Sequence, residues 1–179
     1  MLSLRAGVLG EARKKRPVPP PELTKELFLE WRSPRVGVAN PTPMNNLMWE
    51  WMIASKTFGD YMGDFMGLPS SRTTGPCWNF QRMGQSSTAL PDGSMVYIAG
   101  EHDDSYHPDF FIDNDVIVVR SGGATQIYGY PQDDFPPTDF HSATLIDGAI
   151  VIIGCLGDPA QRQFGTPQVR LLHTRGRAF

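Results

Sequence analysis

Cysteine is scarce in this chain: Cys77 and Cys155 are the only two among 179 residues. Two thiols so far apart form neither a disulfide framework nor a metal-binding spacing. Their apolar neighbours point instead to reduced, buried side chains of a cytoplasmic protein. Long hydrophobic runs are missing too. No stretch approaches the roughly 18 apolar residues that cross a bilayer. The first ten residues carry one Arg and no clear cleavage site, against a secretory leader. There is no Gly-x-Ser-x-Gly elbow and no glycine-rich phosphate loop. A serine hydrolase of the elbow type, a P-loop enzyme and a membrane span are thereby set aside, and no cofactor is expected.

Proline (16) and glycine (18) are plentiful, which suits a turn-rich β structure. Charge is divided unevenly. Residues 1–35 hold eight Lys or Arg against four Glu, whereas the remainder is acidic and the whole chain carries −3. The basic run Arg13-Lys14-Lys15-Arg16 has no interleaved aromatics. With an acidic main body behind it, the run reads as a solvated tail, and nucleic acid is not an expected partner.

Residues 1–35 read as a basic, proline-rich leader, stiffened at Pro17-Val18-Pro19-Pro20-Pro21, with a short helix from Glu22 to Trp31. Residues 36–74 read as a helical extension. One helix is predicted from Asn45 or Asn46 to about Asp64, with Leu47, Trp51, Phe58, Met62 and Phe65 on one apolar stripe. Such a stripe packs on a core or serves as a partner face, with Trp49, Trp51 and Phe58 as the contacts. Leu68 to Thr74 reads as a loop. From Gly75 the period changes to two, beginning with a predicted strand at Cys77-Trp78-Asn79-Phe80.

Two stretches then repeat one pattern. Ser86-Ser87-Thr88-Ala89-Leu90-Pro91-Asp92-Gly93 leads into Met95–Ala99. His141-Ser142-Ala143-Thr144-Leu145-Ile146-Asp147-Gly148 leads into Ala149–Ile153. Each Asp-Gly marks a hairpin turn. A period near 50 residues points to a repeat architecture. Further strands are predicted at 115–120, 125–130, 139–145 and 168–173, with a long polar loop at 101–111.

These residues resemble kelch repeats, four-stranded blades whose first strand often opens His-Ser-Ala and whose third begins Asn-Asp followed by apolar residues. His141-Ser142-Ala143 matches the opening, and Asn114-Asp115-Val116-Ile117 matches the third strand. Trp78 would fall on the last strand of a preceding blade. The double glycine that closes the second strand is replaced by Gly100-Glu101 and Gly154-Cys155. The blocks Asn40-Pro41, Trp49-Glu50-Trp51, Tyr128-Gly129-Tyr130-Pro131 and Phe135–Thr144 are similar to a group of uncharacterised bacterial kelch-like proteins. That resemblance implies a propeller-type fold without an assigned reaction, and relatives that continue beyond Phe179.

The expected fold is therefore mainly β: about two kelch-like four-stranded antiparallel blades with an N-terminal helical extension. Blade 1 covers about 86–130, and an incomplete blade 2 about 139–179. Two blades leave open faces, so a homo-oligomer that completes them is an expected state.

Polar side chains concentrate at Glu101, His102, Asp103, Asp104, Tyr106, His107 and Asp109. The bland expectation for such a loop is a solvated connector. As a contact surface it suits a ligand or protein partner. His102, Asp104 and His107 also have the donor types for a divalent metal, or for a base in hydrolysis, although the order fits no established motif. If Asp139 and His141 lie on one face of their strand, as i and i+2 residues do, they could approach the His102 loop. The leading expectation is a non-enzymatic protein-binding or scaffolding module. The alternative is a metal-binding protein or a hydrolase-type enzyme.

Overall fold

The computed structural model describes residues 16–102, 108–154, 157, 165 and 167–179. Local chemistry sets the first boundaries. Thr24 Oγ1 accepts from Leu27 N at 3.3 Å and caps α1 (Lys25–Trp31). The two-residue strand β1 (Thr42–Pro43) follows. Asn46 Oδ1 then accepts from Trp49 N at 2.9 Å and starts α2 (Leu47–Ser55). Each cap satisfies an amide that the first helical turn leaves without a partner.

Lys56 turns left-handed, with φ 55°, and its N–H bonds back to the Ile53 carbonyl. This closes α2 and separates it from α3 (Gly59–Phe65). One helix was expected across this stretch; there are two. The loop expected at Leu68–Thr74 also contains a one-turn helix, α4 (Ser71–Thr74).

The break changes which face is buried. Met48, Trp49, Met52 and Ile53 point into the core, whereas Leu47 is 62% exposed and Phe58 50%. Nearly every position of α2 is apolar, so periodicity could not select a face. Met62 is buried, and Phe65 is largely exposed.

Two antiparallel sheets follow. The first contains β2 (Ser86–Ala89), β3 (Met95–His102), β4 (Phe111–Val119) and β5 (Thr125–Gly129), in a meander extended by β1 alongside β5. The second contains β6 (Ser142–Ile146), β7 (Ala149–Ile153) and β8 (Val169–His173). The chain is mainly β, and the two sheets do not form a closed ring. Cys77–Phe80, expected as a strand, is a buried irregular segment. The loop expected at 101–111 is shorter, because β3 and β4 keep pairing to His102↔Phe111.

The Asp-Gly turns take different forms. Asp147 and Gly148 both have positive φ (47° and 82°), the type I′ conformation that matches strand twist across a two-residue hairpin. In the first repeat Pro91 lengthens the turn. Gly93 N bonds to Leu90 O at 3.0 Å, and only Gly93 is left-handed.

The sheets and helices stack as layers with two cores. Val96, Ile98, Val116 and Val118 of the first sheet meet Ile150, Ile152 and Leu172 of the second. On its other face, Ile117 and Ile127 meet Phe28, Met48, Trp49 and Met52. The short helix of the leader is thus built into the core. Each fully buried large side chain contributes about 1.5–3 kcal/mol relative to exposure. No helix among the described residues is long and apolar enough to cross a membrane.

Candidate functional site

A β-bulge organises the polar end of the first sheet. Register shifts between Ile98 and Gly100, where Ala99 and Gly100 adopt φ of 51° and 100°. The bulge aims the Ala99 carbonyl at Arg82 Nη1 (3.2 Å) and Gln85 Nε2 (3.3 Å). The Arg82 side chain is wholly buried and forks onto Asp115 at 2.5 and 2.8 Å. Trp78 Nε1 donates to the same carboxylate at 2.8 Å.

Asp113 Oδ2 lies 3.0 Å from Arg82 Nε, yet that N–H is directed at the Asn79 carbonyl at 2.7 Å. One guanidinium therefore serves two buried carboxylates. Burial pushes the Asp113 carboxyl up to about 8 against the pull of Arg82, and the Asp115 charge adds to the rise. A proton held on Asp113 leaves the trio neutral. That is scaffold chemistry, and it fixes Trp78 and Asn79 for their neighbours.

Asn79 links this scaffold to His102. Its Oδ1 accepts from Gly59 N at 2.6 Å, so its Nδ2 faces His102 Nδ1 at 2.7 Å. The amide donates there, which assigns the imidazole proton to Nε2 by the network. Nε2 lies 4.0 Å from Asp109 Oδ2, and Ser71 Oγ donates to that same oxygen. Asp109 is fully buried, and its Oδ1 has no hydrogen-bond partner among the described residues. The serine hydroxyl is given to a carboxylate and not to an imidazole, so Ser71 and His102 form no direct pair here.

His102 and Asn79 also line an open cleft of about 400 Å³ with Lys56, Phe58, Asp60 and Tyr61. Arg16 stacks on the Tyr61 ring at 4.8 Å. The cleft mixes both charge signs with aromatic surface.

Asp139 and His141 do not meet the condition of a shared strand face. Both precede β6, and Phe140 between them has φ 48°, so strand alternation does not place them on one face. Asp139 Oδ1 accepts from Gly157 N at 2.5 Å. His141 Nε2 meets Ser86 Oγ at 2.8 Å, while its buried Nδ1 has no hydrogen-bond partner among the described residues. Burial lowers the His141 pKa against the raising effect of Asp139.

The remaining candidates divide. Glu101 pairs with Ile112 across the sheet and bridges to Met83. Asp103, Asp104, Tyr106 and His107 lie outside the described residues, as does Cys155. Among the described residues, no three His, Cys, Asp or Glu side chains are grouped to hold a metal ion. Trp49 is 1% exposed and stacks on Trp78 at 4.5 Å, which removes it from any partner face. Trp51 is half-buried, and Phe58 is exposed beside the cleft.

Sequence reasoning missed Ser71 and Asn79, which stand singly in segments read as loop and short strand, and Arg82, which lies between two predicted strands. It also left unspecified which sheet face stays open. The outer face of the second sheet carries Ile146, Ile153, Val169 and Leu171, each about half exposed, with Val151 between them. None of the outward positions of β6, β7 and β8 is Asp, Glu, Lys or Arg. The uninterrupted run Ala149–Ile153 was the available signal, since strands covered on both faces read that way. The outer edge of β8 is unpaired among the described residues.

Comparison with protein-family models, curated proteins and solved structures yields no match.

Proposed function

We propose that this chain is a non-enzymatic protein-association module built on two kelch-like blades, whose open face takes a second copy of the chain. The observation that carries the proposal is the outer face of the second sheet, where Ile146, Val151, Ile153, Val169 and Leu171 sit with Ser142, Thr144 and His173 and without Asp, Glu, Lys or Arg. Contiguous exposed aliphatics of this kind mark interaction sites on soluble proteins.

The internal repeat supports the kind of occupant. Ser86 and His141 are 55 residues apart, like the two Asp-Gly turns. The same offset carries Val96 onto Val151 and Ile98 onto Ile153. In the first sheet, Val96 and Ile98 receive the second sheet. In the second sheet, the equivalent Val151 and Ile153 point outward. The face that is open in one repeat is thus the face on which a β sheet packs in the other.

A second copy satisfies this requirement without charge repulsion, because an aliphatic face without Asp, Glu, Lys or Arg is complementary to itself about a two-fold axis. Light-scattering mass across a concentration series is the test. A dimer is expected, and Leu171→Lys should return it to monomer with unchanged circular dichroism. A monomer at every concentration, or a dimer indifferent to Leu171→Lys and Val169→Lys, overturns the proposal.

A further inference from the structure

At the end of the sheets away from His102, the β2–β3 and β4–β5 turns and the segment after β8 enclose a cleft of about 590 Å³. Leu90 and Leu145 give it apolar wall, and Arg120, Arg175, Arg177 and Asp92 give it charge. Arg120 Nη1 lies 3.1 Å from Asp92 Oδ2, and its Nη2 donates to Gln126 Oε1 at 2.9 Å. Three guanidiniums against one carboxylate leave two positive charges in excess.

Arg177 is the unusual member. It is 7% exposed and left-handed, with φ 58°. Tyr130 Oη donates to its carbonyl at 2.6 Å, and its own N–H donates to the His173 carbonyl at 2.8 Å. The backbone is therefore pinned in a conformation that residues with a β-carbon seldom adopt. The side chain it presents has a buried Nη1 with no hydrogen-bond partner among the described residues. Burial, then repulsion from Arg120, pulls its pKa down. An unpaired buried donor of this kind is costly, and an oxyanion is the group that a guanidinium fork satisfies best.

We propose that this cleft binds a small organic dianion, with Arg177 and Arg120 engaging its oxyanion group and Leu90 and Leu145 covering its carbon part. The volume falls within the range of small-molecule sites. A phosphate monoester and a dicarboxylate offer the same chemistry to the cleft. The proposal does not rest on the association reading, since none of these residues lies on the outer face of the second sheet.

Calorimetric titration with phenyl phosphate, succinate and inorganic phosphate, at ionic strength held constant with sodium chloride, tests it. One saturable site is expected for at least one organic probe, weakened about tenfold or more by Arg177→Gln or Arg120→Gln. Tighter phenyl phosphate assigns the ligand to the phosphate esters, and tighter succinate assigns it to the dicarboxylates. If Arg177→Gln fails to fold, Arg120→Gln and Arg175→Gln carry the test. Absence of saturation with all three probes up to about 10 mM overturns the proposal, as does affinity unchanged in Arg120→Gln.

Discussion

Ser86 Oγ and His141 Nε2 share a 2.8 Å hydrogen bond that links the first sheet to the second across 55 residues of chain. Ser86 is the first residue of β2, His141 immediately precedes β6, and β2 lies against β6. A side-chain bond between the start of β2 and the residue before β6 pins one sheet to the other. The bond joins the sheets where the shared hydrophobic core gives way to polar residues.

Protonation of His141 should loosen that pin. Burial lowers the folded-state pKa below the ordinary 6.5. The unfolded chain therefore binds the proton first, and the stabilisation is lost as pH falls below about 6.5. Melting temperature should drop on acidification, and His141→Gln should flatten that acid limb. Equal slopes for the two proteins between pH 5 and 7 would exclude His141 as the source.

Asp113 should act with the opposite sign. Its folded pKa is raised from 3.8 to about 8 by burial. A proton is retained on folding between those values, so its contribution is complete at acid pH and declines as pH rises to 8. Asp113→Asn never ionises. The melting temperature of the native chain minus that of the variant should therefore fall steadily from pH 5 to 8. A constant difference would mean that Asp113 is ionised throughout, with Arg82 compensating both carboxylates.

How much of this was legible in sequence depends on how local the cause was. Asn46 as a cap, the Asp147-Gly148 turn and the β5 to β8 strands are decided by a few adjacent residues, and their signals were read. The length of β3 and β4 was not, because the ladder past the Ala99–Gly100 bulge is fixed by pairing to Asp113 and Phe111. Arg82 gave no sign of its role, since its partners Asp113 and Asp115 lie some thirty residues away. An approach of His141 to the His102 loop was conditional on strand alternation, which Phe140 interrupts.

The leader's connection to the sheet depends on a glycine. Gly37 N–H donates to Tyr130 O at 3.1 Å, and a β-carbon at Gly37 would press on the Gly129 carbonyl and Tyr130 amide. Those are backbone atoms with nowhere to go. Gly37→Ala should cost about 1–3 kcal/mol by chemical denaturation. Gly129→Ala meets mainly the thioether end of Met44, which can rotate away, and should cost less. The reverse order would refute the backbone contact.

The phase of α2 can be tested with two alanines. Trp49 is 1% exposed, stacks on Trp78, and donates from Nε1 to the Trp31 carbonyl at 2.7 Å. Its removal opens a cavity between α1, α2 and the Trp78 segment, so Trp49→Ala should lose about 3–5 kcal/mol. Leu47, two residues earlier and 62% exposed, should lose no more than about 0.5 kcal/mol on the same substitution. The contrast matters because the sequence stripe placed Leu47 inside and left Trp49 free for a partner. A larger loss at Leu47 than at Trp49 would restore that stripe. A small loss at Trp49 alone would show that α2 does not seal the first sheet, and would leave a second face of the molecule open to association.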